Sequence, residues 1–321
     1  KVGCAIVTSG PGAMNTITGV ADAMIDSTPM VVICGQVGAA MLGTDAFQEV
    51  DVVGVTQPIS KWNYQIRRAE DIPWAVARAF YIAKSGRPGP VVLDFAKNAQ
   101  TALIEYQPQT VDFIRSYNPV PAAAPGSIER AADLINQSVK PLMLVGQGVE
   151  LAGAREELLA LAEKAQIPFG QTMLGLSAAP TSHPLNMGML GMHGNLAPNV
   201  MTNQCDLLIA VGMRFDDRVT GDLHTYAKQA KVIHFEIDPS EVGKIVKPTV
   251  AVLGDCKQTL AQVTELVQET KHQAWIDGFK PYAEKEYNKV IDAALNPKEG
   301  PLLMGEVVRR VSEAANNEAI M

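Results

Sequence analysis

Two short runs hold the groups best able to do chemistry: Thr8-Ser9-Gly10-Pro11-Gly12-Ala13-Met14-Asn15 and Gly43-Thr44-Asp45-Ala46-Phe47-Gln48-Glu49. In the first, two glycines and Pro11 would let a bulky ligand approach the backbone, facing the free N–H groups of a helix's first turn. A tight strand-to-helix turn accounts for that run equally well. A third set, Gly212-Met213-Arg214-Phe215-Asp216-Asp217-Arg218-Val219-Thr220-Gly221, brings two arginines four residues apart. These suit bidentate contacts to a diphosphate, with nearby carboxylates accepting from sugar or ribityl hydroxyls. A surface salt-bridge loop is the alternative, since such pairs are common and weak. Glu236 and Gly254-Asp255 also fall near strand ends, where an acid can bind a sugar hydroxyl. Gly146-Gln147-Gly148 opens like a dinucleotide fingerprint, but Leu151 stands where its third small residue belongs. The convergence of four clusters just past strand ends favours a bound nucleotide.

Elements to position these groups are visible in the pattern. Cys4-Ala5-Ile6-Val7 and Met30-Val31-Val32-Ile33-Cys34 are short apolar runs of buried parallel strands. Between them, Met14, Ile17, Ala21, Met24 and Ile25 recur at helical spacing as the apolar face of a single helix. A helix is expected over 71–84, opened by Glu70, Asp71 and Pro73 and closed by Gly86 and Pro88, with a strand over 91–95. Periodicity then disappears, and Pro108, Pro119, Pro121 and Pro125 mark 98–126 as an extended linker. Ser127 is the expected N-cap of a helix over 128–137. Strands at 141–146, 167–171, 206–211, 232–237 and 250–253 follow, with a helix over 154–165. Residues 257–295 read as mixed-charge helices, 304–316 as an amphipathic helix, and Ala319-Ile320-Met321 as the opening of another strand. The expectation is an α/β protein of two doubly wound parallel-sheet domains.

Composition narrows the function. The 321 residues are 47% hydrophobic and 19% charged, ordinary for an α/β enzyme. A net charge of −7 and the lack of a basic run argue against a nucleic-acid partner. No apolar stretch has the length of a membrane span, so a membrane partner is not expected. Cys4, Cys34, Cys205 and Cys256 are scattered and read as buried thiols of a reducing compartment. The five histidines show no paired spacing, so no metal site is expected among these residues.

The first two runs resemble the pyrimidine-binding domain of thiamine-diphosphate enzymes. With Arg214–Gly221 in order downstream, the whole chain resembles the catalytic subunits of the acetohydroxyacid (acetolactate) synthase family. The resemblance implies a cytoplasmic enzyme of branched-chain amino-acid biosynthesis that decarboxylates pyruvate and joins it to a second 2-ketoacid such as 2-ketobutyrate. It assigns 1–97 to part of the pyrimidine-binding domain, 127–270 to a central FAD-binding domain, and 271–321 to a helical connection and the start of a third, diphosphate-binding domain. It implies a homodimer or homotetramer and leaves room for a regulatory subunit. By position in the family pattern, Pro11, Gly12 and Asn15 pack near the aminopyrimidine, Phe47 and Gln48 face the reaction centre, and Lys97 stands at the pocket mouth. Asp45 and Glu49 read as structural or interface residues. The same pattern assigns to FAD Arg87, Gly146, Gly148, Thr172, Met173, Leu174, Met192, His193, Gly212, Arg214, Asp216, Arg218, Glu236, Ile237 and Asp255. The resemblance implies an FAD that is not needed for net redox chemistry.

The chain departs from the family pattern at Gly38-Ala39-Ala40, Trp62 and Asn98, which bears on channel shape more than reaction class. A glutamate for the aminopyrimidine is expected upstream of Lys1, and a Gly-Asp-Gly motif for Mg2+ and the diphosphate downstream of Met321. The sequence therefore reads as an internal piece that alone makes no acetolactate. Other readings are a pyruvate oxidase, a glyoxylate carboligase, or a non-catalytic nucleotide-binding module of the sirtuin-like NAD type.

Overall fold

The computed structural model describes residues 1–318, so the strand expected to open at Ala319 lies outside the described residues. The chain forms two compact units, Lys1–Val120 and Pro121–Met321.

The first unit runs β1 (Gly3–Val7), α1 (Pro11–Met14), α2 (Ile17–Ile25), β2 (Met30–Gln36), α3 (Val52–Thr56), β3 (Trp62–Ile66), α4 (Ile72–Lys84), β4 (Pro90–Ala96) and α5 (Lys97–Thr101). Its sheet has the order β1-β2-β4-β3, and every pairing is parallel. All seven residues of β4 are buried, because it sits between two strands with helices on its faces. β1 lies at the sheet edge, so Ile6 is 76% exposed and Cys4 is exposed rather than buried as its sequence suggested. On α4, Ala75, Ala79 and Ala83 recur every four residues, a small-residue face that lets the helix lie close on the sheet.

The first helix differs from its expected form. A turn at Asn15–Thr16 breaks it in two, with the Thr16 hydroxyl donating to the Ala13 carbonyl at 2.7 Å. The break shifts the helical phase, so Ala13, Val20 and Ala23 are buried while Ile25 is 54% exposed. The apolar face is therefore rotated from the one that the spacing of Met14, Ile17, Ala21, Met24 and Ile25 suggested.

The second unit adds α6 (Ser127–Gln137), β5 (Pro141–Val145), α7 (Gln147–Leu151), α8 (Arg155–Lys164), β6 (Phe169–Gln171), β7 (Asn186–Met189), α9 (Leu196–Thr202), β8 (Leu207–Val211), α10 (Asp217–Thr220), β9 (Lys231–Glu236), β10 (Val250–Leu253) and α11 (Cys256–Leu266). Its parallel sheet is ordered β10-β9-β8-β5-β6-β7. Alternation along β5 sends Met143 and Val145 into a core with Leu158, Leu161 and Leu260 on one face. On the other face Leu142 and Leu144 pack with Met201, Trp275 and Phe279. Trp275 donates from Nε1 to the Pro141 carbonyl at 2.8 Å, which ties the helices after residue 270 into this unit. Helix α6 corrects another expectation. Gly126, at φ +73°, is its cap, and Ser127 begins the first turn with a buried hydroxyl that has no hydrogen-bond partner.

Among the described residues no helix is long and apolar enough to cross a membrane. Burial pushes the thiols of Cys34, Cys205 and Cys256 up to about 12, with carboxylates nearby adding to the shift. Iodoacetamide at about pH 8 should therefore leave all three unmodified in the folded protein and label them after unfolding in guanidinium chloride, as read by peptide mass spectrometry.

Candidate functional site

In the first unit the carboxyl ends of β1, β2 and β4 carry the loops with the singled-out residues. Gly10, at φ +57°, touches the second run directly: a Cβ there would lie 2.7 Å from the Gln48 carbonyl oxygen and 3.0 Å from its Cα. The two runs, far apart in sequence, thus meet at Gly10 and Gln48. Gln48 itself has φ +60° and Asp45 φ +57°, so the 43–49 turn holds two non-glycine residues in the left-handed region. Glu49 stabilises it by accepting from the Ala46 N–H at 3.0 Å and from the Gly43 N–H. Those backbone donors hold the Glu49 carboxyl below its ordinary range, so its grip on the turn weakens only as pH falls through that lowered value. Phe47 is 89% exposed and Gln48 is exposed beside it.

Pro11 opens α1, and the Asn15 N–H donates back to its carbonyl at 3.0 Å. Gly12 leaves room for Thr8, whose Cγ2 would be 2.6 Å from a Cβ. Lys97 is exposed at the end of β4, with its N–H on the Val37 carbonyl at 3.3 Å. Asn98 was only a departure from a pattern in the sequence. In the structure its Oδ1 accepts from the Ala39 N–H at 2.8 Å and its Nδ2 donates to the Arg67 carbonyl at 2.9 Å, fastening the Gly38–Ala40 rim.

Arg87 stands elsewhere, ahead of the amino end of β4. Its Nε donates to the Ser27 hydroxyl at 2.9 Å and its Nη2 to the Ile25 carbonyl at 3.2 Å, satisfying the end of α2.

In the second unit the chain runs outward from β5 through β6 to β7, then returns to β8 on the other side of β5. Loops leaving β5 and β8 therefore start side by side at the switch point, the position at which sheets of this kind form a ligand crevice. Its floor is glycine on glycine. The Gly146 N–H donates to the Val211 carbonyl at 2.9 Å, the Gly148 N–H to Gly212 at 3.0 Å, and the Gly212 N–H to Phe235 at 3.0 Å. A Cβ on Gly146 would sit 2.2 Å from the Gly212 oxygen, and one on Gly148 2.6 Å from the Gly212 Cα. Packing of the two turns thus demands these glycines before any ligand is considered.

Several acids of the crevice rim are engaged by their own turns. Asp216 caps α10 through the Arg218 N–H at 3.0 Å and binds the Arg214 guanidinium at 2.7 Å. Glu236, buried, accepts from the N–H groups of Ile237 and Asp238 at 2.9 and 3.0 Å. Asp255 caps α11 through the Lys257 N–H at 2.9 Å. Thr172 accepts from the Gly175 N–H at 3.1 Å. What remains open is apolar or charged, with the exposed Asp217 carboxylate 3.8 Å from the Arg218 guanidinium. Met173, Leu174 and Met192 are 61%, 49% and 62% exposed, His193 is exposed, and the Arg218 side chain is 72% exposed. The Met192 N–H donates to the Arg218 carbonyl at 2.7 Å, which brings the 191–194 loop beside the second arginine. Sequence reasoning missed His234, fully buried with Nε2 donating to the Met213 carbonyl at 2.8 Å, which supports the turn from beneath. Only its strand-internal position in β9 could have signalled it. Among the described residues no three His, Cys, Asp or Glu side chains could hold a metal ion.

Two parallel sheets with glycine-lined loops at their carboxyl ends define a class. The N-terminal TPP binding domain of thiamine pyrophosphate enzymes matches residues 1–55, and the central domain of the same enzymes matches residues 128–263. The chain belongs to the thiamine pyrophosphate enzyme family. Within that class it is similar to acetolactate synthase large subunits. The one from Corynebacterium glutamicum is 46% identical over 286 residues, 87% of this chain and 46% of that protein. The isozyme 1 large subunit of Escherichia coli is 46% identical over 267 residues, 83% of this chain and 47% of its own length. The large subunit of Parasynechococcus marenigrum is 43% identical over 325 residues, 98% of this chain and 51% of that protein. The chain spans about half the length of the curated relatives it matches.

The glycine floor makes a sharp test. Gly212→Ala should cost about 3 kcal/mol or more in urea unfolding, since it adds a clash to the left-handed strain. Gly153→Ala, at a left-handed helix end with φ +61° and open space around it, should cost only about 1 kcal/mol.

Proposed function

We propose that this chain is part of an acetolactate synthase catalytic subunit, which forms a 2-acetohydroxy acid from pyruvate and a second 2-ketoacid such as 2-ketobutyrate. The observation that carries the reading is the meeting of Thr8–Asn15 with Gly43–Glu49 at Gly10 and Gln48, within a chain 46% identical to such a subunit. Thiamine diphosphate supplies the electron-accepting group on which a ketoacid carboxylate can leave as CO2. Residues of this chain bind and orient around that chemistry. Exposed Phe47 offers an apolar wall that keeps water from the reacting carbons, and the Gln48 amide can donate to a ketoacid oxygen. Lys97, exposed at the end of β4, suits a ketoacid carboxylate. Mg2+ and the diphosphate are assigned to residues outside this sequence, and the whole protein to a cytoplasmic homodimer or homotetramer, with or without a regulatory subunit.

FAD is assigned to the crevice of the second unit. The donor set suits a dinucleotide: a turn floor where no side chain fits, exposed methionines and leucine for a flat ring, and two arginines for a diphosphate. Gly146, Gly148 and Gly212 admit the close approach, Thr172 to Leu174, Met192 and His193 flank it, and Arg214 and Arg218 hold its charge. Asp216, Glu236, Ile237 and Asp255 shape the turns that present backbone groups. Arg87 joins this set on the family pattern alone.

Two measurements on the full-length protein test the reading. Gln48→Asn shortens the donor yet suits the left-handed backbone, and should lower kcat for acetolactate about a hundredfold. An unchanged kcat would remove Gln48 from the reaction. Arg214→Ala with Arg218→Ala should give a folded, colourless protein; retention of stoichiometric flavin would defeat the FAD assignment.

A further inference from the structure

The sheet of the first unit buries a polar set that neither ligand reading uses. Gln36 at the end of β2, Asp94 on β4 and Gln65 on β3 lie on one face of adjacent strands, with Cys34 and Gln65 both in register with Asp94. Asp94 is fully buried. Its Oδ2 accepts from Gln65 Nε2 at 2.8 Å and from Gln36 Nε2 at 3.2 Å, while its Oδ1 is buried without a partner. Both amides are fixed in orientation by what their oxygens accept. Gln65 Oε1 takes the Arg67 Nε–H at 2.8 Å, and Gln36 Oε1 takes the Val37 N–H at 3.0 Å. Gln36 Nε2 also donates to the Val50 carbonyl at 2.8 Å. One glutamine side chain thus grips both ends of the 37–50 segment, and Asp94 is the acceptor that holds that glutamine in place.

We propose that Asp94 is a positioning residue, holding through Gln36 the segment 37–50 that presents Phe47 and Gln48. Burying a carboxyl with one oxygen unpartnered is costly, and a leucine would fill the site more cheaply. An acceptor for two amides is what a leucine cannot provide. Burial pushes the Asp94 carboxyl above its ordinary range, with the Asp51 carboxylate adding to the shift and the two amide donors opposing it. In either protonation state Oδ2 accepts both amides, so the grip does not depend on the charge. The catalytic consequence rests on the proposed role of Gln48; the positioning itself does not.

The test compares D94N, D94L and Q36L in the full-length protein by hydrogen exchange and by kinetics. D94N keeps an oxygen for both donors and should match the unsubstituted protein. D94L should speed exchange of the 37–50 amides about tenfold or more while leaving those of β1 and β5 unchanged. Q36L should do the same from the other end, which keeps the test open if D94L does not fold. With the loop loosened, kcat should fall by a similar factor and recover in D94N. Unchanged exchange in 37–50 in D94L or Q36L, or equal acceleration across β1, β2 and β4, would overturn the positioning role. Local loosening with unchanged kcat would uphold it and instead defeat the assignment of Gln48 to the reaction.

Discussion

Parallel strands covered on both faces leave a chain almost nowhere to keep polar groups except the strand ends, and the rest of this structure follows from that. β4 and β5 are buried along their whole length. Side chains able to bind a ligand therefore gather where the strands stop, at the carboxyl ends, where the backbone ladder runs out and loops must begin. β2 pairs with β4, and β5 with β8, to their last residues, so the loops that follow emerge at the same level and can touch.

Touching loops need small residues, and the glycines are best understood first as packing. Gly146, Gly148 and Gly212 interlock so closely that any side chain would strike backbone. The resulting floor is flat and bare, which is also what a bulky planar ligand requires. Structural need and binding capacity thus select the same residue type at the same positions. The carboxylates divide differently. Glu49, Asp216, Glu236 and Asp255 each accept backbone N–H groups of their own turns, so their work is to shape the rim, while Met173, Leu174, Met192 and Arg218 are exposed and Arg214 is held by Asp216.

The same accounting explains the polar exception inside the first sheet. A buried carboxyl between two glutamines is an expensive way to fill a core, yet it connects strand interior to loop with fixed geometry. The segment it reaches contains two non-glycine residues in the left-handed region, a conformation that persists only where surroundings enforce it. Glu49 acts from within that segment and Gln36 from its ends.

The order and type of most elements, and the polar runs at their ends, were legible in local pattern, because a buried parallel strand is a continuous apolar run wherever its partners lie, as at 30–34 and 91–95; the edge strands β3 and β7, mostly half-buried and without such a run, were not. Family resemblance could be read from Thr8–Asn15, Gly43–Glu49 and Arg214–Gly221 for the same reason, since each is contiguous. Whatever depended on a neighbour distant in sequence was not legible. The break at Asn15–Thr16 and the exposure of Ile25 depend on how two short helices seat on the sheet, and the exposure of Cys4 depends on β1 being an edge. Ser127 has the chemistry of a cap but lost the position to Gly126, whose left-handed turn moved the helix start by one residue. The Gly10–Gln48 contact, the role of Asn98 and the grip of Gln36 on Val37 and Val50 were decided only by the strand order β1-β2-β4-β3, which brings three loops to one end. Periodicity is a property of neighbours along the chain; a site is a property of neighbours across a sheet.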